Sequence, residues 1–399
     1  MTTNAHRKIR YGMVGGGEGA FIGAVHRMAA ALDGEYALVC GAFSSDAARN
    51  QRSAAGLGLD PARAYPTLEA MIAAESALPE DQRMEVLAIV TPNHLHAPAA
   101  IAALDAGFHV FSEKPMAMNL AEALAIEAAV TRSRKLYGLA FTYSGYPLVE
   151  EARVRVSRGD FGAIRLVQAE YWQGWLSRPL DRDGNKQAEW RTDPARAGLG
   201  GCLGDIGTHA FQLAEHVSGL AVESLSADLT IHVAGRRLDD DVAALLRFEG
   251  GARGVLKTTQ VAAGEENGLH LRVYGEKGGL EWSQMEPNTL VLRWLDRPME
   301  VVRASGPGLD SLTTARLRTP SGHPEGYIEA FANLYCSFGR AVRSGATPPP
   351  PGTADWFPGI TDGLRTMVFV ETMIENSAGA EKWTLLNRVL EKRRATSPG

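Results

Sequence analysis

The sequence predicts an α/β protein of two domains, a doubly wound parallel sheet followed by an α+β domain with a mainly antiparallel sheet. Three observations carry that prediction. At 399 residues the chain exceeds the size at which one hydrophobic core stops growing, so two domains are expected. Its first third alternates short apolar runs with helix-patterned segments, and the runs are apolar on both faces, as buried parallel strands are. From Ser224 onward, apolar runs follow one another at hairpin spacing, with glycine-rich breaks and no helix between them.

In order, Ile9 to Val14, Tyr36 to Phe43, Val86 to Thr91, His109 to Ser112 and Leu136 to Phe141 read as strands. Ala97 to Ala106 and Leu120 to Ser133 read as helices that cover them. From about Tyr146 come one helix-like segment, a tryptophan-rich loop and a helix around Asp205. Strands are then expected at Ser224 to His232, Asp241 to Phe248, Ala252 to Thr259, Leu269 to Gly275, Leu280 to Ser283 and Thr289 to Trp294. The tail returns to helix at Pro324 to Arg343 and Trp356 to Asn376, separated by the stiff spacer Pro348 to Pro351. The first domain is thus drawn at residues 1–142 and the second at 143–399, with the tail helices packing back across both.

A net charge of −5 offers no basic surface, which disfavours nucleic acid, and no apolar run approaches membrane-spanning length. The polar start, Met1 to Arg10, runs straight into the first strand and leaves no room for the apolar core of a signal peptide. Cys40, Cys202 and Cys336 are few, odd in number and far apart, against both a disulfide framework and a thiolate metal cluster. A reducing cytoplasm is the expected compartment.

The chemistry concentrates in four places. Asp205 and His209 lie four apart, on one helical face beside the glycine-rich Gly200-Gly201-Cys202-Leu203-Gly204. An imidazole titrates nearest neutral pH, so such a pair can move a proton during a reaction; the alternative is a first-turn anion and a packed histidine. After the first strand, Gly15-Gly16-Gly17-Glu18-Gly19-Ala20-Phe21-Ile22-Gly23 lets backbone approach a pyrophosphate at a helix start. Gly15, Gly17 and Ala20 satisfy the alanine-ended dinucleotide fingerprint, whereas Gly15, Gly17 and Gly23 place the last glycine three residues late. Gly19, Phe21 and Ile22 complete that candidate site. After the second strand no acid stands ready for ribose hydroxyls. Asp46 reads as the N-cap of the next helix, and Ser44, Ser45 and Arg49 suit a 2′-phosphate, so NAD is slightly favoured and NADP stays open.

The next two strands end in Thr91-Pro92-Asn93-His94-Leu95-His96 and Glu113-Lys114-Pro115, at the carboxyl ends where open α/β sheets bind ligands. His94 and His96 have no third partner at matching spacing, so no metal is expected. Burial of Lys114 beside a cationic ring would weaken its preference for the charged form; the plainer reading is a surface lysine paired with Glu113. Tyr171-Trp172-Gln173-Gly174-Trp175 and Glu189-Trp190-Arg191-Thr192-Asp193 combine aromatic faces with hydrogen-bonding groups, as a sugar site requires, although tryptophans pack cores equally well. Tyr143 and Tyr146 fall where an interdomain cleft is expected. His323 either reaches the site from the tail or starts a helix, the second being favoured.

Thr91-Pro92-Asn93, Glu113-Lys114-Pro115 and Gly200-Gly201 through Asp205 to His209 resemble the three hallmark motifs of the glucose-fructose oxidoreductase/inositol dehydrogenase/rhizopine catabolism family of dehydrogenases. They do so in the family's order and spacing, across nearly the whole chain. The resemblance implies an N-terminal Rossmann domain and a C-terminal domain on a large open, mainly antiparallel sheet, whose flat face often mediates dimers or tetramers. It also implies a catalytic triad of Lys114, Asp205 and His209, with Asn93, His96, Glu113 and Pro115 around the nicotinamide ribose. The lengthened glycine loop, the missing acid after strand two and Thr142-Tyr143-Ser144-Gly145-Tyr146-Pro147 depart from the family's pattern.

The expected reaction moves a hydride between a secondary hydroxyl of a sugar, glycoside or inositol and the nicotinamide. His209 is the best candidate for the base, Lys114 would steady the developing alkoxide, and Asp205 would hold a substrate hydroxyl or orient the imidazole; Lys114 and His209 could also share or exchange the acid/base role. Two other readings remain at this point. One is redox-assisted glycoside cleavage with the cofactor recycled; the other is a non-catalytic dinucleotide-sensing regulator, which the three motif residues disfavour. Substrate contacts are expected from Tyr143, Tyr146, Trp172, Trp175, Arg191, Asp205, His209 and His323.

Overall fold

The computed structural model describes residues 7–345 and 348–396. Its first sheet holds β1 (Ile9–Gly15), β2 (Tyr36–Ala42), β3 (Val86–Val90), β4 (His109–Ser112) and β5 (Tyr137–Leu139). All pair in parallel, in the order β2-β1-β3-β4-β5. Every residue of β3 is buried, as a strand covered on both faces must be. An isolated parallel bridge joins Gly41 of β2 to Ala64, where a Rossmann sheet carries a further edge strand. The order reverses between β1 and β3, so the loops leaving those two strands flank a crevice.

The second sheet holds β6 (Ile164–Trp172), β7 (Val222–Thr230), β8 (Asp241–Phe248), β9 (Arg253–Thr259), β10 (Gly268–Gly275), β11 (Gly278–Ser283), β12 (Thr289–Trp294), β13 (Glu300–Arg303) and β14 (Thr384–Leu385). The order is β13-β12-β11-β10-β6-β9-β8-β7-β14; β6 and β9 pair in parallel and the other neighbours antiparallel. Val167, Ala169, Tyr171, Leu246, Leu256 and Leu271 are buried on its inner face, beneath the helices Pro147–Ser157 and Thr208–Ser218. Leu166, Leu245 and Val255 are exposed on the opposite face.

The α/β class, the parallel first sheet and the largely antiparallel second sheet agree with the sequence reading. The central strand β6 does not, because the stretch ending in Tyr171-Trp172 reads as part of a loop. Its signal is period-two alternation, with Val167, Ala169 and Tyr171 turned inward between the outward Leu166, Gln168 and Glu170. The strands β13 and β14 and the helix Leu386–Thr396 also lie beyond the expected elements. Both tail helices start later than their hydrophobic pattern, at Tyr327 and Ile360. In each an acid one turn in accepts the N–H of the glycine before it, Glu329 from Gly326 and Asp362 from Gly359, both at 2.9 Å.

The helix Tyr327–Arg343 packs on the first sheet, where Phe331, Tyr335 and Phe338 share a core with Tyr11, Tyr36 and Phe111. The helix Ile360–Ala378 lies between the helix Leu120–Ser133 and β7. Among the described residues no helix is long and apolar enough to cross a membrane. At the end of β1 the helix Phe21–Leu32 approaches so closely that a Cβ on Gly23 would sit 2.4 Å from the Gly16 Cα. Overpacking of this kind costs about 1–3 kcal/mol, so Gly23→Ala is expected to lower the thermal unfolding midpoint measured by circular dichroism.

Candidate active site

The crevice opens into a cavity of about 930 Å³ that runs from the glycine loop to the helix Thr208–Ser218. Gly15 and Gly16 take φ of 78° and 69°, in the left-handed region that glycine enters without strain. A Cβ on Gly15 would meet the Val90 carbonyl oxygen at 2.8 Å, and one on Gly17 the Phe43 carbonyl oxygen at 2.9 Å. The loop therefore lies flat against the ends of β3 and β2. The helix it opens has no side-chain cap at Ala20 and no acid in its first turn, leaving its first N–H groups without a side-chain partner. That is the donor set a dinucleotide pyrophosphate takes. Ala20 lines the cavity, while Gly23 provides the close packing, so the two spacings read from sequence describe different jobs. Asp46 caps the helix Ala47–Gly56, its Oδ1 accepting from the Arg49 N–H at 2.7 Å. Ser44 and Arg49 line the cavity.

Asn93 is buried and donates from Nδ2 to the Ala197 carbonyl at 2.8 Å, tying the loop after β3 to a segment of the second domain. His96 is fully buried between two backbone carbonyls, Pro115 at 2.7 Å from Nδ1 and Thr91 at 2.9 Å from Nε2. It braces the loops after β3 and β4 against each other, and burial lowers its pKa despite these acceptors. Among the described residues no three His, Cys, Asp or Glu side chains gather as a metal set.

The stretch Leu203–Gly207 forms one turn of π-helix before the helix Thr208–Ser218. Asp239 fixes its start: Oδ1 accepts from Gly201 N at 2.8 Å, Oδ2 from Leu203 N at 2.7 Å, and its carbonyl from Cys202 N at 2.8 Å. A Cβ on Gly201 would lie 2.3 Å from that carbonyl oxygen, which explains the second glycine of the motif. Burial pushes the Asp239 carboxyl up to about 6 against these hydrogen bonds.

Asp205 is the hub of the site. Lys114 Nζ lies 3.0 Å from its Oδ1 and 2.6 Å from its carbonyl oxygen, while Arg191 Nε at 3.2 Å and Gln260 Nε2 at 2.9 Å reach Oδ2. Burial opposes the charge, but the Lys114 and Arg191 cations outweigh it and hold the carboxyl well below the usual carboxylate range. Lys114 thus pairs with Asp205 and not with the Glu113 side chain, whose Oε1 lies 2.9 Å from His26. None of the hydrogen bonds to Asp205 comes from His209. The His209 ring packs edge-on against Tyr143 at 4.7 Å and Phe141 at 5.5 Å, its nitrogens making no hydrogen bond among the described residues. Burial, and then the Lys114 charge, hold His209 well below its usual pKa, as a neutral acceptor.

On the remaining wall Tyr143 and Tyr171 hydrogen-bond through their hydroxyls, and both bond Asn267, at 3.2 and 2.6 Å. Gln173 joins Asn267 at 2.7 Å and accepts from Trp175 Nε1 at 3.0 Å; Arg191 stacks 4.2 Å over the Trp190 ring. The cavity brings together Gly15, Gly17, Ala20, Phe21, Ile22, Ser44, Arg49, Thr91, Pro92, Asn93, His96 and Glu113 with Lys114, Tyr143, Trp175, Arg191, Asp205 and His209. Gly19, Ser45 and Pro115 do not line it, although the Pro115 carbonyl holds His96. Three expected substrate contacts also fall outside. Tyr146 is buried against Trp282 at 5.4 Å, Trp172 donates to Glu170 at 3.0 Å, and His323 is exposed, four residues before its helix begins. Asn267, Gln284 and Tyr327 line the cavity without belonging to any motif, and Gln260, also outside the motifs, reaches Asp205 from behind the wall. They come from strand ends and the tail, and only the folded sheet brings them in.

Two family models match the chain: an oxidoreductase family with an NAD-binding Rossmann fold over residues 9–141, and a GFO/IDH/MocA C-terminal domain over residues 149–281. The chain belongs to the GFO/IDH/MocA oxidoreductase family. An oxidoreductase structure from Sinorhizobium meliloti is 43% identical, with a TM-score of 0.85, covering 95% of this chain and 99% of that one. An inositol dehydrogenase homolog from Azotobacter vinelandii, complexed with NAD+, is 32% identical with a TM-score of 0.89, over 95% of this chain and 98% of that one. The same homolog complexed with NADH and myo-inositol has a TM-score of 0.87. The levoglucosan dehydrogenase of Pseudarthrobacter phenanthrenivorans is 32% identical over 50% of this chain and 56% of its own length.

As a GFO/IDH/MocA oxidoreductase the chain binds NAD, and the glycine loop with its unpartnered helix N–H groups fits that group. The NAD-binding match carries Lys114 and the C-terminal match carries Asp205 and His209, so the site is assembled from both. Its geometry depends on Asp239. Asp239→Ala leaves the Gly201 and Leu203 N–H groups unpaired and is expected to cost about 2–4 kcal/mol in denaturant unfolding; Asp239→Asn, which keeps one acceptor oxygen, is expected to cost less.

Proposed function

We propose that this oxidoreductase transfers a hydride between a secondary ring hydroxyl of a sugar, glycoside or inositol and the nicotinamide of NAD. The observation that carries the reading is the Lys114–Asp205 pair beside a His209 ring whose nitrogens make no hydrogen bond among the described residues, on the cavity that begins at the glycine loop. The myo-inositol complex of the structural neighbour and the levoglucosan dehydrogenase relative support a polyol or sugar ligand. So does the wall of aromatic rings, amides and Arg191, which matches a ring with apolar C–H faces and hydroxyl edges.

Bound NAD supplies the hydride acceptor. The substrate hydroxyl loses its proton to a ring nitrogen of His209, which burial keeps neutral and ready to accept it. The Lys114 ammonium donates to the same oxygen and stabilises the alkoxide as it forms. Asp205 acts on Lys114 and Arg191, fixing both cations at the cavity wall. For the assembled protein we propose a homodimer or homotetramer through the open face of the second sheet, where exposed Leu245 pairs directly with exposed Val255. We place it in the cytoplasm, its three cysteines being unpaired.

Incubation with NAD, and in parallel NADP, and a panel of sugars and cyclitols should give the absorbance of reduced cofactor. Lys114→Ala should lose at least about 10²-fold in kcat/KM; full activity in that variant would sink the mechanism. In the oxidation direction kcat/KM should stay flat down past pH 6.5 and fall only below it, because His209 must be unprotonated and its pKa is lowered. His209→Asn should remove that acid limb along with about 10²–10⁴ of the rate. A Leu245→Glu substitution should shift the sedimentation mass towards the monomer, and an unchanged mass would rule out this face as the interface.

A further inference from the structure

Glu113 lines the cavity beside Lys114, and behind it runs a buried relay that the proposed chemistry does not use. His26, on the helix opened by the glycine loop, is completely buried. Its Nε2 lies 2.9 Å from Glu113 Oε1 and its Nδ1 2.6 Å from the Tyr335 hydroxyl, on the tail helix Tyr327–Arg343. Phe331 at 4.6 Å and Phe111 at 6.0 Å close the ring in edge-on. The other oxygen, Glu113 Oε2, accepts from the Lys114 backbone N–H at 3.2 Å.

Hydrogen-bond accounting assigns the protons. The Tyr335 phenolic proton has Nδ1 as its acceptor, so Nε2 carries the ring hydrogen and donates it to Glu113 Oε1, while Oε2 accepts from the Lys114 N–H. No group in the relay is then left over. A doubly protonated ring would donate from Nδ1 as well, leaving the phenolic proton of Tyr335 without a partner in the core. The relay thus holds a carboxylate, not a carboxylic acid, at the end of β4. Burial works against that charge, but the His26 hydrogen bond and the Lys114 ammonium outweigh it and keep the carboxyl below its usual range.

At this end of the cavity the ion pairs of Lys114 and Arg191 go to Asp205, and Glu113 adds a second carboxylate to the wall beside Lys114. A hydride acceptor must reach substrate held at Lys114 and His209, so the nicotinamide end of the cofactor comes to rest against this set. NAD+ carries one positive charge on that ring and NADH carries none. A fixed anion in a desolvated wall therefore favours the oxidised form.

We propose that His26 and Tyr335 are positioning residues that hold Glu113 ionised and aimed into the cavity, and that this anion sets the preference for NAD+ over NADH. This rests on the proposed reaction in one respect, the placing of the nicotinamide end near Lys114 and His209. The relay also joins three separate parts of the chain, so cofactor preference is linked to the docking of the tail helix.

The test is the ratio of the dissociation constants of NAD+ and NADH, titrated by calorimetry and by NADH fluorescence in the absence of substrate. Glu113→Gln should raise the NAD+/NADH ratio about tenfold, which is a change of roughly 1.4 kcal/mol. His26→Phe, which removes the donor, should move it in the same direction by several-fold. His26→Gln, which keeps an N–H for Glu113, should restore most of the wild-type ratio, a rescue that packing alone does not produce. Tyr335→Phe should give a smaller shift than His26→Phe. Equal weakening of both cofactor forms, or an unchanged ratio in Glu113→Gln, would overturn the proposal. If His26→Phe unfolds, Glu113→Gln and Tyr335→Phe decide the question by the same titration. Polyol turnover is measured separately on the wild-type enzyme, so a wrong substrate class shows there and not in the ratio.

Discussion

Lys114 reaches from the end of β4 to Asp205 in the π-helical turn, and this one ion pair joins the NAD-binding sheet to the turn that opens the helix Thr208–Ser218. Both partners are largely buried, so the pair depends on the further hydrogen bonds that each makes. Lys114 has the Asp205 carbonyl as well as the carboxylate; Asp205 has Arg191 and Gln260 on its second oxygen. Removing Asp205 would leave Lys114 and Arg191 without their shared carboxylate, whereas removing Lys114 would leave Asp205 held by Arg191 and Gln260 alone. The arrangement also explains the π-turn. One extra residue in the ladder presents the Asp205 carbonyl and carboxylate to the same ammonium, while His209 stays on the adjoining face.

His209 is defined by what surrounds it. Tyr143, Phe141 and Tyr171 wall the imidazole with rings, the Lys114 charge opposes a second proton, and Asp205 is fully engaged elsewhere. Asp205 and His209, four apart in sequence, are therefore not a hydrogen-bonded dyad. Asp205 is engaged with the Lys114 and Arg191 cations, while the neutral His209 ring stands apart from it, open to the cavity.

The sequence made visible those parts of the site whose chemistry constrains consecutive residues. A loop flattened against two strand ends needs glycines in a row, and a segment anchored by Asp239 needs Gly201, so these appear as motifs. Strand-helix alternation similarly exposed the parallel sheet. The strand β6 was hidden because its outward residues, Leu166 among them, blur the polar alternation and its aromatic end resembles a sugar-binding loop. Asn267 and Gln260 could not be read at all. Each is a single polar residue near a strand end, and its role depends on the register of β6, β9 and β10, which only the folded sheet defines. Trp172 and Tyr146 fail for a related reason. Their aromatic character suited either a ligand or a core, and the direction of one side chain on a strand or helix decided it.

The tail explains why the first sheet is not a self-sufficient unit. Tyr335, Phe331 and Phe338 arrive from the far end of the chain and complete the core over Tyr11, Tyr36 and Phe111. Tyr36 donates to the Tyr335 carbonyl at 2.8 Å, and Arg318, just ahead of that helix, pairs with Asp33 at the end of the helix opened by the glycine loop. The same contact layer carries the His26 relay to Glu113, so the surface that buries apolar area also fixes a charge in the cofactor cavity. Folding of the two sequence halves and the electrostatics of the site are thus one constraint. A chain that lost the tail helix would lose part of the first core and, through Tyr335, the last hydrogen bond that assigns the proton on His26.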